Sequence, residues 1–392
     1  MDYAGDMADY DLVVFGATGF TGALTAEYLA RTAPAGFRWA IAGRNPGKLA
    51  ALREHLAGID ERWAELPIRT ADTGDPASLR EIAAAAKVVV TTVGPYLARG
   101  EPLVVACAAE GTDYVDLTGE PEFVDRMYVA HHAKAAETGA RIVHCCGFDS
   151  IPHDLGVWYT VRQLPENVPL RVDGYVRVGA RPSGGTFATA LDAFSRRTQS
   201  TRAAKQRHEL EPAIPGRSVH IPAGAPHRTP GTGHWAVPLP TVDPQIVRQS
   251  ARALPRYGPD FRYRHFAAFA HLPSVAATAA GVGALFAAAQ LPPARRALSR
   301  LLAPGEGPDA GRRARSWFRV RFTGRGGGEE VTTEVSGGDP GYDETAKMLA
   351  ESALCLAFDE LPSTAGQLTT ATAMGDALIG RLTRAGIGFR TL

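Results

Sequence analysis

Cysteine is scarce in this sequence, and its spacing does not indicate a metal site or a disulfide framework. The 392 residues include four cysteines. None of them forms a Cys-x-x-Cys pair, and Cys145 and Cys146 are adjacent, which rarely suits a disulfide bond or a zinc site. So few thiols in a chain of this length are typical of a reduced cytosolic protein. We therefore predict a cytoplasmic protein without a bound metal.

An excess of either charge is also missing. The chain has 42 Lys and Arg against 41 Asp and Glu, a net charge of +1. Without a basic face to neutralise phosphates, nucleic acid is not an expected partner. The acidic residues 1–11 lack the basic and apolar regions of a secretory signal, and no such signal is expected. At about 100–200 residues per domain, this length predicts two or three domains.

The apolar segment 274–291 stands out because it contains no charged residue. It is mostly Ala and Gly, and it lies between Pro273 and Pro292. We favour a buried or surface-packed helix here. Peripheral contact with a membrane and a membrane span stay open as alternatives, since the length just suffices to cross a bilayer.

Strands alternate with helices through residues 1–150. The predicted strands are 12–15, 39–43, 66–71, 87–93, 112–117 and 141–146, and the predicted helices are 23–32, 48–56, 78–86, 102–110 and 123–137. This alternation indicates a parallel sheet covered by helices on both faces. We expect an α/β protein whose first domain, 1–150, is a doubly wound dinucleotide-binding (Rossmann) domain with ligands at the carboxyl ends of its strands.

The pattern changes after residue 150. Residues 172–179 and 317–322 alternate like half-buried strands, and 330–335 suits a hairpin partner for the latter. Residues 196–240 are rich in Pro, Gly, Arg and His and suggest a loop or lid. We therefore predict an α+β substrate domain over 151–340 with a mixed or antiparallel sheet, which could pair in a homodimer.

The strongest chemical signal is the glycine run between the first strand and the first helix. It consists of Gly16, Ala17, Thr18, Gly19, Phe20, Thr21 and Gly22. A strand, a glycine-rich turn and a helix in succession place backbone N–H groups around a pyrophosphate. Gly16 permits the turn, Gly19 lets the backbone approach the phosphates, and Gly22 lets the helix pack on the strand.

The residues after the second strand decide between NAD and NADP. A site for NAD has a carboxylate about 20 residues beyond the glycine run, yet no acidic residue lies between Glu27 and Glu54. Arg44, Asn45 and Lys48 stand there instead. The two basic groups suit the 2′-phosphate of NADP(H), which we predict as the cofactor.

Further cofactor contacts are predicted at the ends of the third and fourth strands. Asp72 is placed to meet the adenine, although a helix N-cap is an alternative role. Val93, Gly94, Pro95 and Tyr96 end the fourth strand, where Gly94 would lie against the nicotinamide ribose.

These motifs resemble a known family. The strings VVFGATGFTG, AGRNPGKL, TTVGPY, GTDYVDLTGEPEF and CCGFDSIPHDLG resemble the saccharopine dehydrogenase-like oxidoreductases. The strings SGGDPGYDETAKMLAESALCLA and GQLTTATAMGDAL resemble the bacterial branch with the mycobacterial trans-acting enoyl reductases. The resemblance implies a Rossmann domain, a mixed-sheet substrate domain, and helices over 341–392 that pack back on the first domain. It also implies that Phe148 and Asp149 lie beside the nicotinamide and that Ser183–Thr186 face the same cleft.

Three side chains are candidates for catalysis. Tyr96 is the first candidate donor to a developing enolate oxygen, and Asp149 and His153 could form a proton relay. Each has a structural alternative: Tyr96 a packed aromatic residue, Asp149 a turn or helix cap, and His153 a polar residue at a helix start.

Three functions fit these observations. The first is an NADPH-dependent enoyl reductase acting on an apolar lipid or polyketide chain, which a carrier protein could present. The second is a saccharopine-type imine reductase, for which Arg181, Arg196 and Arg197 would have to bind substrate carboxylates. The third is a non-catalytic NADP-binding protein associated with a membrane.

The variant Arg44→Asp tests the cofactor assignment. It removes the cation that would pair with the 2′-phosphate, so we expect the KM for NADPH to rise at least about tenfold while the KM for NADH changes little. Steady-state kinetics with both cofactors measure this difference, and an equal response of both would contradict the assignment.

Overall fold

Two β-sheets organise the protein. The computed structural model describes residues 8–180, 196–289 and 308–392. Within these ranges the strands are β1 (Tyr10–Phe15), β2 (Trp39–Gly43), β3 (Ile68–Thr70), β4 (Ala86–Thr91), β5 (Asp113–Asp116), β6 (Arg141–Val143), β7 (Leu170–Val178), β8 (Ser218–His220), β9 (His227–Arg228), β10 (Trp235–Pro238), β11 (Asp260–Phe269), β12 (Phe318–Gly326), β13 (Glu329–Gly337), β14 (Gly366–Leu368) and β15 (Gly388–Thr391).

Helices cover both sheets. They are α1 (Phe20–Thr32), α2 (Pro46–Ala57), α3 (Pro76–Ala85), α4 (Tyr96–Arg99), α5 (Glu101–Glu110), α6 (Pro121–Thr138), α7 (Ile151–Val161), α8 (Arg197–Leu210), α9 (Asp243–Ala253), α10 (Leu272–Ala289), α11 (Ala310–Arg313), α12 (Asp343–Phe358), α13 (Thr370–Ala373) and α14 (Gly375–Arg384). Short 3₁₀ helices lie at Glu61–Trp63 and Pro255–Tyr257.

The first sheet is parallel throughout its described strands, in the order β14-β6-β5-β4-β1-β2-β3. Its central strands are apolar on both faces because helices cover both, as in other parallel sheets. The predicted Rossmann architecture is confirmed. The stretch 341–392, expected to be helical, also contains a strand, since β14 adds to the sheet beside β6. Three residues are too few for sequence periodicity to show a strand.

The second sheet is mixed, in the order β15-β13-β12-β7-β11-β10-β9, with β8 also paired to β11. Strands β7 and β11 are parallel, and β12 and β13 form the predicted antiparallel hairpin. The α/β fold class with a second, mixed-sheet unit is therefore confirmed.

The segment after residue 341 joins both sheets. Helix α12 lies against the first sheet, and the Tyr28 hydroxyl of α1 donates a hydrogen bond to Glu351 at 2.6 Å. Strand β15, by contrast, pairs with β13 of the second sheet. The domain limits at 150 and 340 stay a prediction, because elements from the end of the chain complete both units.

Helix α8 contradicts the prediction of a loop over 196–240 in its first part. Arg207 of this helix is buried, and its guanidinium group lies 3.3 Å from Asp125 and 2.9 Å from Glu211. It also stacks over the Tyr128 ring at 4.1 Å. Partners on α6 therefore anchor a strongly charged segment that local composition did not identify as a helix.

The uncharged segment 274–291 is helical as expected up to residue 289, and residues 290–291 lie outside the described ranges. The described side chains of this segment are nearly all exposed, so burial, one of the two expected forms, does not hold for them, while packing on the surface stays a prediction. Among the helices described, none has the length and apolar character needed to cross a membrane.

Candidate functional site

The glycine turn lies at the carboxyl end of β1 and is packed too closely for larger residues. Gly16 has a φ of 84°, and a Cβ atom there would lie 2.6 Å from Val93 Cγ2. A Cβ atom on Gly22 would lie 2.3 Å from the carbonyl oxygen of Gly16. Thr18 and Gly19 are exposed at the outer side of the turn, where Gly19 caps α1. The start of α1 is thus open to an anion, which fits the predicted pyrophosphate.

The predicted 2′-phosphate site contains an exposed cation. Arg44 Nε lies 3.6 Å from Asp72 Oδ2, and these side chains are 68% and 46% exposed. An exposed pair of this kind contributes little to stability, so Arg44 can turn toward a phosphate. Lys48 is exposed as well, whereas the Asn45 side chain is occupied, since Oδ1 accepts a hydrogen bond from Lys48 N at 3.0 Å. The basic groups present fit NADP(H).

Asp72 is not the N-cap of a helix. Its Oδ1 accepts a hydrogen bond from Gly74 N at 2.7 Å, and Asp75 caps α3 instead. The position of Asp72 opposite Arg44, at the end of β3, leaves it available to the adenosine half of a dinucleotide.

Tyr96 does not suit the predicted role of proton or hydrogen-bond donor. The residue is buried; its hydroxyl group donates to Thr91 O at 3.1 Å and accepts from Leu117 N at 3.2 Å. Burial raises the pKa of this hydroxyl group well above its ordinary value. Tyr96 therefore fixes the chain after β4, while the exposed Gly94 just before it, joined to Pro95 by a cis peptide bond, is the part of this segment open to a ligand.

The loop after β6 is connected to the glycine turn through the start of α12. Phe148 N donates a hydrogen bond to Thr345 Oγ1 at 3.1 Å. Three residues earlier, the Tyr342 ring packs edge-on against Phe20, with ring centroids 4.9 Å apart. The sheet edge that carries the turn therefore also carries Phe148 and Asp149.

The side chain of Asp149 is partly exposed, and its carboxyl group is a weaker acid than an ordinary aspartate. The surrounding protein atoms desolvate its carboxyl group and raise its pKa to about 6, with a further increase from the Asp243 carboxylate and an opposing effect of His153. A carboxyl group with this pKa can still hold a proton near neutral pH and release it to a substrate.

His153 lies in a buried polar cluster that the sequence did not reveal. Asp243, from the start of α9, and His265, from β11, lie beside it. Burial raises the pKa of Asp243, but the two imidazole groups outweigh this effect and the net shift is downward. The three residues are far apart in the sequence, and no local motif connects them. Ser183–Thr186 and Arg181 lie outside the described residues.

Comparisons with known proteins agree with this geometry. The family model of the saccharopine dehydrogenase NADP-binding domain matches residues 12–143. The chain is 40% identical to a Mycobacterium tuberculosis protein provisionally named a trans-acting enoyl reductase, over 98% of this chain and 97% of the relative. It is 37% identical to the trans-acting enoyl reductase of Mycobacterium ulcerans, over 97% of each chain. The apo structure of saccharopine dehydrogenase (L-Glu forming) from Saccharomyces cerevisiae shares the fold, with a TM-score of 0.54, 12% identity, and coverage of 97% and 99% of the two chains.

The variant Gly22→Ala tests the packing of the glycine turn. Its Cβ atom would lie 2.3 Å from Gly16 O and 2.8 Å from Thr92 Oγ1, so the turn must shift. We expect the unfolding free energy to fall by about 2 kcal/mol and NADPH affinity to fall about tenfold or more. Thermal unfolding and fluorescence titration with NADPH measure these effects.

Gly283→Ala is the matched control. A Cβ atom there meets nothing within 4 Å, and the residue lies within α10. The control should leave NADPH binding unchanged. Equal affinity of Gly22→Ala and the control would contradict the assignment of this turn to the phosphates.

Proposed function

We propose that this chain, which belongs to the saccharopine dehydrogenase-like oxidoreductases and within them to the family of the mycobacterial trans-acting enoyl reductases, is an NADPH-dependent reductase of α,β-unsaturated acyl thioesters. The observation that carries the proposal is that one sheet edge bears both the dinucleotide-type glycine turn with Arg44 and the partly exposed Asp149 with its raised pKa. Reduction of an activated double bond needs a hydride and a proton at neighbouring carbons.

The glycine turn and the basic residues hold the cofactor. Backbone N–H groups at the start of α1 bind the pyrophosphate, and Arg44 and Lys48 bind the 2′-phosphate. When bound, NADPH supplies the hydride for the β-carbon of the substrate. The segment that follows β4, with the exposed Gly94, provides room for the nicotinamide ribose.

Asp149 supplies the proton to the α-carbon. Its pKa of about 6, which desolvation raises from 3.8, keeps part of the population protonated near neutral pH. Its neighbour Phe148 packs edge-on against Phe318, with ring centroids 5.0 Å apart. The desolvation that raises the pKa of Asp149 also limits the access of water to its carboxyl group, which favours proton transfer to substrate over loss to solvent.

The substrate is an apolar acyl chain delivered by a separate protein. Because the relatives are named as trans-acting, we infer that the unsaturated thioester reaches this enzyme on an acyl carrier protein. The thioester is the activating group, since its carbonyl oxygen takes up the negative charge that hydride addition creates.

Reduction of a carboxylate-bearing imine is supported less well. That substrate needs arginines free to bind its carboxylates. Arg196, one of the predicted candidates, instead binds both Glu122 oxygens, at 2.8 and 2.6 Å. The similarity to saccharopine dehydrogenase concerns the fold.

A substrate screen tests the proposal. NADPH oxidation is followed with an enoyl thioester, with a 2-oxo acid plus an amino acid, and without substrate. We expect turnover with the enoyl thioester alone, because only this substrate offers a carbon conjugated to a thioester. Turnover confined to the oxo-acid and amino-acid pair would establish imine reduction, and tight NADPH binding without any turnover would establish a binding protein; either result contradicts the proposal.

The variant Asp149→Asn tests the proton source. The amide keeps the shape but has no acidic proton, so we expect kcat to fall about 100-fold or more with the dissociation constant of NADPH unchanged. Stopped-flow turnover and fluorescence titration measure the two quantities. The control is Asp9→Asn. Asp9 is exposed and lies just before β1, at the opposite end of this strand from the glycine turn, so the variant should keep full activity. Full activity of Asp149→Asn would exclude this residue as the acid.

A further inference from the structure

His153, Asp243 and His265 form the densest group of potential metal ligands in the described part of the chain. One donor atom from each lies within 4.8 Å of the others, and all three residues are buried. They come from the start of α7, the start of α9 and the middle of β11, so both structural units contribute to the cluster.

Each imidazole has a nitrogen at ligand-like spacing from the Asp243 carboxylate. His153 Nδ1 lies 3.0 Å from Asp243 Oδ1, and His265 Nε2 lies 3.4 Å from Asp243 Oδ2. Tetrahedral zinc with bonds of about 2.0–2.1 Å separates neighbouring ligand atoms by about 3.3 Å. The observed separations lie on either side of that value.

The hydrogen bonding of the ring nitrogens supports the same conclusion. Although they lie close to the carboxylate, neither His153 nitrogen nor His265 Nε2 has a hydrogen-bond partner within the structure described. A pair that formed a simple hydrogen bond would direct N–H at the oxygen. A shared ion would satisfy these three nitrogens, whose burial without a partner would be costly.

Neighbouring groups hold the ligands in position. Tyr263 OH and His265 Nδ1 are hydrogen-bonded at 2.7 Å, which orients the imidazole so that Nε2 faces Asp243. Thr241 Oγ1 donates to Asp243 Oδ2, and Ser150 Oγ lies 3.5 Å from Oδ1. Metal-binding imidazoles and carboxylates commonly have supporting hydrogen bonds of this kind.

We propose that His153, Asp243 and His265 bind one divalent transition-metal ion, with Zn²⁺ the best match. Two imidazoles and one carboxylate are a ligand set that zinc accepts, and three protein ligands leave one tetrahedral position open. The proposal departs from the sequence-based expectation of no metal. The three ligands are far apart in the sequence and come close together only in the folded chain.

The open position has a use in the proposed reaction, and this part of the inference depends on the proposed function. The cluster adjoins the loop after β6, since the Phe148 and His153 rings pack edge-on with centroids 5.6 Å apart. A metal ion here would bind the thioester carbonyl oxygen and stabilise the negative charge that develops on it.

Metal content tests the site without relying on turnover. Untagged protein is expressed with added Zn²⁺, dialysed, and analysed by atomic emission; we expect about one zinc ion per chain. Asp243→Asn and His265→Asn should lower the content about tenfold, whereas His220→Asn, at a histidine that is 53% exposed, should retain it. Circular dichroism checks that each variant is folded.

Cobalt provides a second measurement on the unaltered protein. After removal of zinc with a chelator, Co²⁺ is titrated and the visible absorption of tetrahedral Co²⁺ is recorded. Saturation at one equivalent supports the site. Folded wild-type protein that holds no zinc and gives no cobalt spectrum, or variants that bind as well as wild type, would overturn it.

The failures of the two proposals are distinguishable. Zinc binding without activity on enoyl thioesters would contradict only the proposed function. Enoyl reduction by metal-free protein would contradict only the role of the metal in the reaction, and absence of zinc and cobalt binding would contradict only the metal site. If an enoyl thioester fails to change the cobalt spectrum, the carbonyl is not a ligand and that role is refuted.

Discussion

Parallel pairing in the first sheet is the constraint on which the candidate site depends. Strand β1 pairs with β2 on one side and β4 on the other, and β4 continues through β5 to β6. Parallel strands end on the same edge, so the glycine turn, Arg44, Gly94 and Asp149 all follow strand ends on one side of the sheet. An antiparallel arrangement of the same strands would distribute these groups over two edges.

Segments from the end of the chain complete this edge. Tyr342 and Thr345, at the start of α12, contact Phe20 of the glycine turn and Phe148 of the loop after β6. Asp154 of α7 likewise accepts hydrogen bonds from Thr370 Oγ1 and Ala371 N, both at 2.8 Å. Buried contacts between distant segments therefore fix the loop that bears the proposed acid, which a reaction geometry requires.

The cofactor was predictable from the sequence, whereas the role predicted for Tyr96 in the reaction was not supported by the structure. A glycine run between a strand and a helix has one main use, and the basic residues after β2 are local in sequence, so short-range patterns sufficed. Tyr96 shows the limit of that reasoning: its position after β4 suggested a donor facing the cleft, but Thr91 O and Leu117 N occupy its hydroxyl group. The hydrogen bonds of a side chain depend on neighbours that its own segment does not specify.

The sequence by itself determined the Rossmann domain, the glycine turn and the preference for NADP(H), because apolar periodicity, glycine spacing and charge act over a few residues. Only the tertiary structure decided the addition of β14 to the first sheet, the anchoring of α8 by Arg207, and the meeting of His153 with Asp243 and His265. These features depend on contacts between segments that are distant along the chain. Such contacts form only when distant segments of the folded chain pack together, and no local pattern encodes them.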